Sequence, residues 1–232
     1  MTHSDRLAQV LRSAARLQEV VPEAVLVGGT ASALHAGHRL SMDHDHVLDD
    51  LVERYAEIVE AVEASAGWVT SIRASSPPLT LLGSLDGIEA GLRQLRRTRP
   101  LEVEEVDLGG GDVVRVPTLP EMLRVKAYLI VQRNATRDYL DTAALIDRLG
   151  EEAAAEVLAS IDDYYADRSG EGDSVLTALT LRLAAPAPRD PRVTRQLSAY
   201  KELDARWHDW TAVTSVCAEV ADRMLELLER SQ

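Results

Sequence analysis

Apolar residues near the start of the chain return every three or four positions. Leu7, Val10, Leu11, Ala14 and Leu17 fall on one face of a helix over residues 4–20, with Ser4 or Asp5 able to cap it. Residues 25–27, Val-Leu-Val, read as a short buried strand that breaks at Gly28-Gly29-Thr30, and residues 31–37 as a short helix. Residues 44–48 alternate around Asp45, a second strand, and residues 49–64 place Leu51, Tyr55, Ile58, Val59 and Val62 on one helical face. Residues 68–73 have strand composition and 75–78 form a loop. Residues 79–85 and 88–95 flank Asp86-Gly87, a strong hairpin signal, although Glu-Ala-Gly-Leu-Arg-Gln-Leu in the second arm is equally compatible with a helix. Residues 101–108 and 112–116 flank three glycines and predict a second hairpin.

From residue 118 the period becomes helical. Thr118-Leu-Pro-Glu121 has the form of a capping box, in which hydroxyl and carboxylate satisfy free N–H groups at a helix start. Met122, Val125, Leu129 and Ile130 supply the apolar face of that helix. Further helices are expected over 137–149, ended by Gly150, then 151–167, 174–184, ended by Pro186, Pro188 and Pro191, and 211–230, with a polar linker over 168–172. The fold class expected is α/β over residues 1–117, a mixed sheet with flanking helices, followed by an all-α domain over 118–232. No linker separates them, so the halves are expected to pack together.

Composition narrows the function classes. The chain has 232 residues, 46% hydrophobic and 27% charged, ordinary values for a globular protein of one large or two small domains. No apolar run approaches the ~20 residues of a membrane span. The polar N-terminus has no signal-peptide pattern, so a cytoplasmic location is expected. A single cysteine, Cys217, excludes an intrachain disulfide and a cysteine-based zinc knuckle; on an apolar helix face it is expected to be buried and inert. A net charge of −13 disfavours bulk polyanion binding and leaves room for a local basic patch. Phenylalanine is absent, and the only lysines are Lys126 and Lys201.

Two stretches carry chemistry. In the first, a strand runs into Gly28-Gly29-Thr30 and then a helix, a geometry that lets backbone N–H groups face a phosphate. Asp43-x-Asp45 follows. On a strand these carboxylates share a face and can seat a hard divalent cation such as Mg2+. Either motif alone is more often a turn or a solvated strand face. Together, in this order, they fit metal-assisted phosphoryl or nucleotidyl transfer. In the second stretch, Lys126 sits among Val125, Ala127 and Leu129 and needs an anionic partner. Arg133, Arg137, Asp138 and Asp141 follow, and the plain alternative is a salt-bridge network between two helices.

The run from Val27-Gly28-Gly29-Thr30 through Asp43-His44-Asp45-His46, followed by Lys126, Arg133, Arg137-Asp138 and Asp141, resembles the AbiEii/AbiGii family of nucleotidyltransferase-like proteins over residues 20–150. That family includes the MenT-like toxins and belongs to the DNA polymerase β nucleotidyltransferase superfamily. The resemblance implies that Gly28, Gly29 and Thr30 bind a nucleoside triphosphate and that Asp43 and Asp45 hold Mg2+. It implies that Lys126 meets a phosphate and that Asp141, with Asp138, completes the site from the helical half. Arg39 would orient carboxylates or phosphates, with Arg133 and Arg137 in support. It further implies transfer of a nucleotide from a triphosphate to an acceptor hydroxyl, foremost on tRNA, by the toxin of a toxin–antitoxin pair whose antitoxin would be a partner. Two alternatives share the fold: a protein phosphotransferase, and a catalytically silent nucleotide-binding module.

Many transferases of the superfamily have a third carboxylate on a neighbouring strand. Glu89 is one candidate, and Glu102, Glu104 and Glu105 are others. Arg93, Arg96, Arg97 and Arg99 form a local basic cluster that could meet tRNA or be a solvated face. His38, His44, Asp45 and Asp141 superficially match a metal-dependent phosphohydrolase. Such sites are built on helices, whereas on a strand His44 and His46 would face away from the carboxylates, as core or sheet-packing residues. Trp207, His208 and Trp210 are expected to pack helices rather than stack on bases.

Overall fold

The computed structural model describes residues 3–165, 167 and 174–230. The linker expected over 168–172 and the side chain of Ser4 lie outside the described residues. The chain divides into two compact units. One comprises residues 1–34 and 40–118, the other 35–39 and 119–232.

The first unit holds a five-stranded mixed sheet and flanking helices. Helix α1 is His3–Val20, β1 Val25–Val27, α2 Gly28–Ala36, β2 Asp43–Leu48, α3 Leu51–Ala64, β3 Trp68–Thr70, β4 Thr80–Leu85 and β5 Ile88–Gln94. The sheet order is β1-β2-β5-β4-β3. Strands β2 and β5 run parallel, and the other pairs are antiparallel. A parallel pair needs a crossover connection, here supplied by α3, β3 and β4. The arm after Asp86-Gly87 is a strand, and Asp86 and Gly87 both have positive φ, as a tight hairpin turn requires. Helix α2 starts at Gly28, three residues before its expected start, so the glycines form its first turn instead of a break before it.

Period-two alternation sorts the sheet into two faces. Leu26, His44, His46, Leu48, Leu81, Leu85, Ala90 and Leu92 are all buried. The core cluster joins Leu48, Leu81, Leu85, Ala90 and Leu92 to Leu17 of α1, Val21 just after it, Leu51, Ile58 and Val62 of α3, and Trp68. Asp43, Asp45 and Val47 alternate with these on β2 and are only partly buried. A separate ribbon pairs β6, Val103–Gly109, with β7, Asp112–Pro117. The Gln18 side chain satisfies both backbone groups of Arg115, donating to its carbonyl at 2.9 Å and accepting from its N–H at 2.7 Å. It thereby supplies what a neighbouring strand would have given β7.

The buried histidines make stability pH-dependent. His44 Nε2 lies 3.1 Å from Ser13 Oγ, and the His44 and His46 rings meet edge to face with centroids 5.3 Å apart. Burial lowers the pKa of His44 to about 4 and that of His46 well below its ordinary value. Folding therefore favours the neutral rings. The unfolded chain binds more protons once the pH drops below about 6.5. Stability from this pair is present above pH 6.5 and is lost as the pH falls towards 4, by about 1.4 kcal/mol per pH unit for each ring. Urea melts from pH 7.5 to 4.5 should show this decline, and His46→Leu should flatten it. An unchanged slope in that variant would refute the assignment.

The second unit is helical: α4 Leu119–Arg133, α5 Thr136–Leu149, α6 Glu151–Ala159, α7 Ile161–Tyr165, α8 Val175–Ala184 and α9 Trp210–Arg230. The helix expected over 151–167 is interrupted at Ser160, giving α6 and α7. Ser174 caps α8, its hydroxyl accepting from the Thr177 N–H at 3.0 Å. Glu121 is fully buried and accepts from Arg124 Nη1 at 2.9 Å. Val213, Cys217, Val220, Ala221 and Met224 form the buried stripe of α9. Burial pushes the Cys217 thiol up to about 12, so it stays protonated and unreactive near neutral pH. Trp207 is buried and Trp210 meets Tyr139 edge-on at 5.9 Å, so both pack helices.

Candidate functional site

In the first unit, the two carboxylates of β2 stand on one face of the central sheet. Parallel pairing sets Asp43 opposite Glu89 and Asp45 opposite Gly91 on β5. Each carboxylate has a partner. Ser41 Oγ donates to Asp43 Oδ1 at 2.9 Å, and Arg93 Nε donates to Asp45 Oδ1 at 3.2 Å. Two glycines surround Asp45. Gly28 has φ +75°, a conformation that side chains disfavour, and a Cβ there would lie 3.5 Å from the Asp45 side chain. At Gly91 a Cβ would fall 2.6 Å from Asp45 Oδ1 and 2.9 Å from Leu82 Cδ2. The carboxylate of Asp45 thus occupies space that any other residue at position 91 would fill.

Thr30 is buried, and its hydroxyl donates to the backbone carbonyl of Asp43. It ties the first turn of α2 to the start of β2. Ser32 Oγ closes the same turn by donating to the Gly28 carbonyl at 3.0 Å. Gly28 and Gly29 remain partly exposed at the helix N-terminus. Glu89 lies in register beside Asp43, yet no group of three His, Cys, Asp or Glu able to hold a metal occurs among the described residues. Two carboxylates still fit Mg2+, which is commonly held by one or two of them together with substrate phosphates. His44 and His46 sit on the opposite, buried face and offer nothing to this one.

The arginine cluster does not form one surface patch. Arg97 is buried and donates to the carbonyls of Arg99, at 2.8 Å, and Pro100, at 2.9 Å. Arg93 turns to Asp45. Arg96 and Arg99 are exposed.

In the second unit, Asp141 of α5 is fully buried and gathers three partners. Arg39 grips it through Nε at 2.7 Å and Nη2 at 3.0 Å, Lys126 Nζ lies 2.7 Å from Oδ2, and His38 Nε2 lies 2.8 Å from Oδ1. Arg39, Lys126 and His38 are themselves nearly inaccessible. The anionic partner that Lys126 requires is therefore Asp141. Burial alone would raise the Asp141 pKa, but Arg39, Lys126 and the His38 hydrogen bond outweigh it and hold the group well below the usual carboxylate range. His38 is depressed by its own burial, against the pull of Asp141, so it is a neutral ring that donates from Nε2. Tyr200 lies near this cluster, its phenol raised by burial.

Asp138 is separately engaged. Arg133 Nε and Nη2 reach its two oxygens at 2.7 and 2.8 Å, a bidentate clamp across the α4–α5 turn. Arg137 is exposed at the start of α5. Asp138 and Arg133 are accounted for by this internal ion pair. Reasoning on the sequence missed Ser41, Gly91 and Tyr200. Only the register of β2 on β5 singles out Gly91, and Tyr200 lies in a segment of 3-10 turns with no periodic pattern.

No family model matches the sequence. A stretch of 132 residues, 57% of the chain, is 41% identical to the mycolic acid-containing lipids exporter MmpL11 of Mycolicibacterium smegmatis. A stretch of 131 residues, 56% of the chain, is 40% identical to the heme uptake protein MmpL11 of Mycobacterium tuberculosis. The chain spans 13% of the length of these curated relatives. Among solved structures, MenT4, a nucleotidyltransferase toxin of M. tuberculosis, superimposes with a TM-score of 0.59 at 19% identity, over 93% of this chain and 84% of that one. JHP933 of Helicobacter pylori gives 0.52 at 16% identity, over 96% and 92%. The antibiotic-resistance factor ANT(2'')-Ia gives 0.50 at 15% identity, over 69% and 94%. The mixed sheet with its flanking helices is therefore a nucleotidyltransferase-like fold.

Proposed function

We propose that this chain is a Mg2+-dependent nucleotidyltransferase that moves a nucleotide from a nucleoside triphosphate to an acceptor hydroxyl. The observation that carries the reading is the Asp43–Asp45 pair, set on one sheet face beside the positive-φ Gly28 at the start of α2. Asp43 and Asp45 would hold the cation, which supplies charge neutralisation for the transferred phosphoryl group. The N–H groups at the start of α2 would receive phosphate oxygens. The acceptor oxygen bonds to the α-phosphorus, the bond from that phosphorus to the bridging oxygen breaks, pyrophosphate leaves, and the hydroxyl proton passes to solvent. In such transfers positioning and electrostatics supply most of the rate.

The finer parts of the proposal are tRNA as acceptor, with the exposed Arg96 and Arg99 meeting its backbone, and a toxin role with an antitoxin partner. MenT4 is a toxin of the same fold, which supports the latter. A phosphate role for Lys126 would require its ammonium to leave Asp141, and Lys126→Ala in a nucleotide-binding titration tests it. The MmpL11 proteins are far longer than the matched segment, and no described helix is long and apolar enough to cross a membrane.

The test is a labelling assay with Mg2+, total tRNA and each of four triphosphates labelled at the α position. Label on RNA is the expected result. Label on protein from a γ-labelled triphosphate, with none from the α position, would replace this reading with a protein phosphotransferase. Mg2+-dependent binding without turnover would replace it with a silent nucleotide-binding module.

A further inference from the structure

Arg93 occupies a position that the proposed chemistry leaves unexplained. On β5 the residues in register with Asp43, Asp45 and Val47 are Glu89, Gly91 and Arg93. Of these three only Glu89 carries a carboxylate, and it stands opposite Asp43. Opposite Asp45, however, the strand has a glycine, and two residues further on a guanidinium. The missing side chain at Gly91 lets the Asp45 carboxylate lean over β5, and Arg93 Nε meets it there at 3.2 Å. Only Nε is engaged: the terminal nitrogens of Arg93 make no hydrogen bond with the described residues, and its side chain is 44% exposed. That leaves a forked pair of donors suited to phosphate oxygens.

Resting on the nucleotidyltransferase reading, we infer that Arg93 serves two anions in turn. It neutralises Asp45 while the site is free of cation, and it binds the triphosphate once a cation has replaced it at Asp45. The half-exposed pair suits such an exchange, because ion pairs of this kind contribute little and are readily displaced. A guanidinium on this face also contributes positive charge where a third carboxylate would have helped to hold a second cation. Arg93 is thus a substrate-binding residue, and Gly91 the positioning residue that makes the exchange possible.

The inference predicts opposite effects on two binding constants. Mn2+ binding without nucleotide is followed by electron paramagnetic resonance of the free ion. Mg2+-dependent binding of α,β-methylene analogues of the four triphosphates is followed by calorimetry. Arg93→Gln should bind Mn2+ roughly two- to fivefold more tightly, having lost the competing charge. It should bind the analogue about tenfold more weakly. Arg93→Lys, which keeps the charge without the fork, should leave Mn2+ binding near wild type and still weaken the analogue. Unchanged constants in Arg93→Gln, or constants that weaken together, would overturn the inference while the reading of the site survives. Failure of the wild-type protein to bind any analogue would instead overturn the nucleotidyltransferase reading, and this inference with it.

Discussion

Replacing Asp141 with alanine is expected to destabilise the second unit by about 3–5 kcal/mol, because it leaves buried cations without their counter-ion. Arg39, Lys126 and Asp141 are all within 4% of complete burial at the side chain. Solvent screening therefore does not soften the loss. For a chain of this size the corresponding fall in melting temperature is roughly 10 °C. Three substitutions in this cluster should rank in order. Asp141→Ala strands two cations and should cost most. Arg39→Met removes a bidentate partner but leaves Lys126 on the carboxylate. Lys126→Met removes a single contact, leaves the Arg39 fork intact, and should cost least. Thermal melts of the three variants give the ranking. A loss under about 1 kcal/mol for Asp141→Ala would show that water or rearrangement relieves the stranded charges, contrary to this account.

Asp45→Asn should behave in the opposite way. The substitution removes the negative charge proposed to hold Mg2+, and losing one such interaction is worth several kcal/mol of transition-state stabilisation. Turnover in the α-label assay should fall by a factor on the order of 10^2–10^3. Stability should hardly change: the Asp45 side chain is 33% exposed, its ion pair with Arg93 is half-exposed, and pairs of that kind contribute about 0–1 kcal/mol. Turnover within tenfold of wild type would remove Asp45 from the proposed chemistry. The contrast with Asp141 matters, since both are aspartates on the two motifs that first suggested the family. One is expected to act through reactivity and the other through the integrity of its unit.

How much of this was legible in the sequence depends on the range of the interaction. Strand β2 announced itself, because Asp43-His44-Asp45-His46 alternates in a way only a strand with one buried side explains. Its consequence, histidines inside and carboxylates outside, held. Lys126 announced a need for an anion through its apolar neighbours. The sequence left that anion open between a phosphate, which the resemblance implied, and a carboxylate of a helix–helix salt-bridge network; in the fold the ammonium meets Asp141, while Asp138 pairs with Arg133. The Arg39 fork spans 102 positions in sequence, and no local pattern encodes it. Arg97 misled for the opposite reason. It sits in a run of arginines that composition reads as a charged surface, while its guanidinium is turned inward to backbone carbonyls. Gly91 was invisible, because its meaning lies in the residue placed across the strand from it.

The five residues 35–39 belong to the helical unit although they are encoded within the stretch that builds the sheet. The two units are therefore not separable cassettes. A gene cut at residue 118 would give a C-terminal product that carries Asp141 and Lys126 but not Arg39 or His38. Its missing piece would be left on the other product. During synthesis the helical unit must recruit a segment made about eighty residues before its first helix, so it completes itself only in a chain that still has its beginning. Duplication, fusion or exchange of this architecture is thereby biased towards keeping both units in one reading frame.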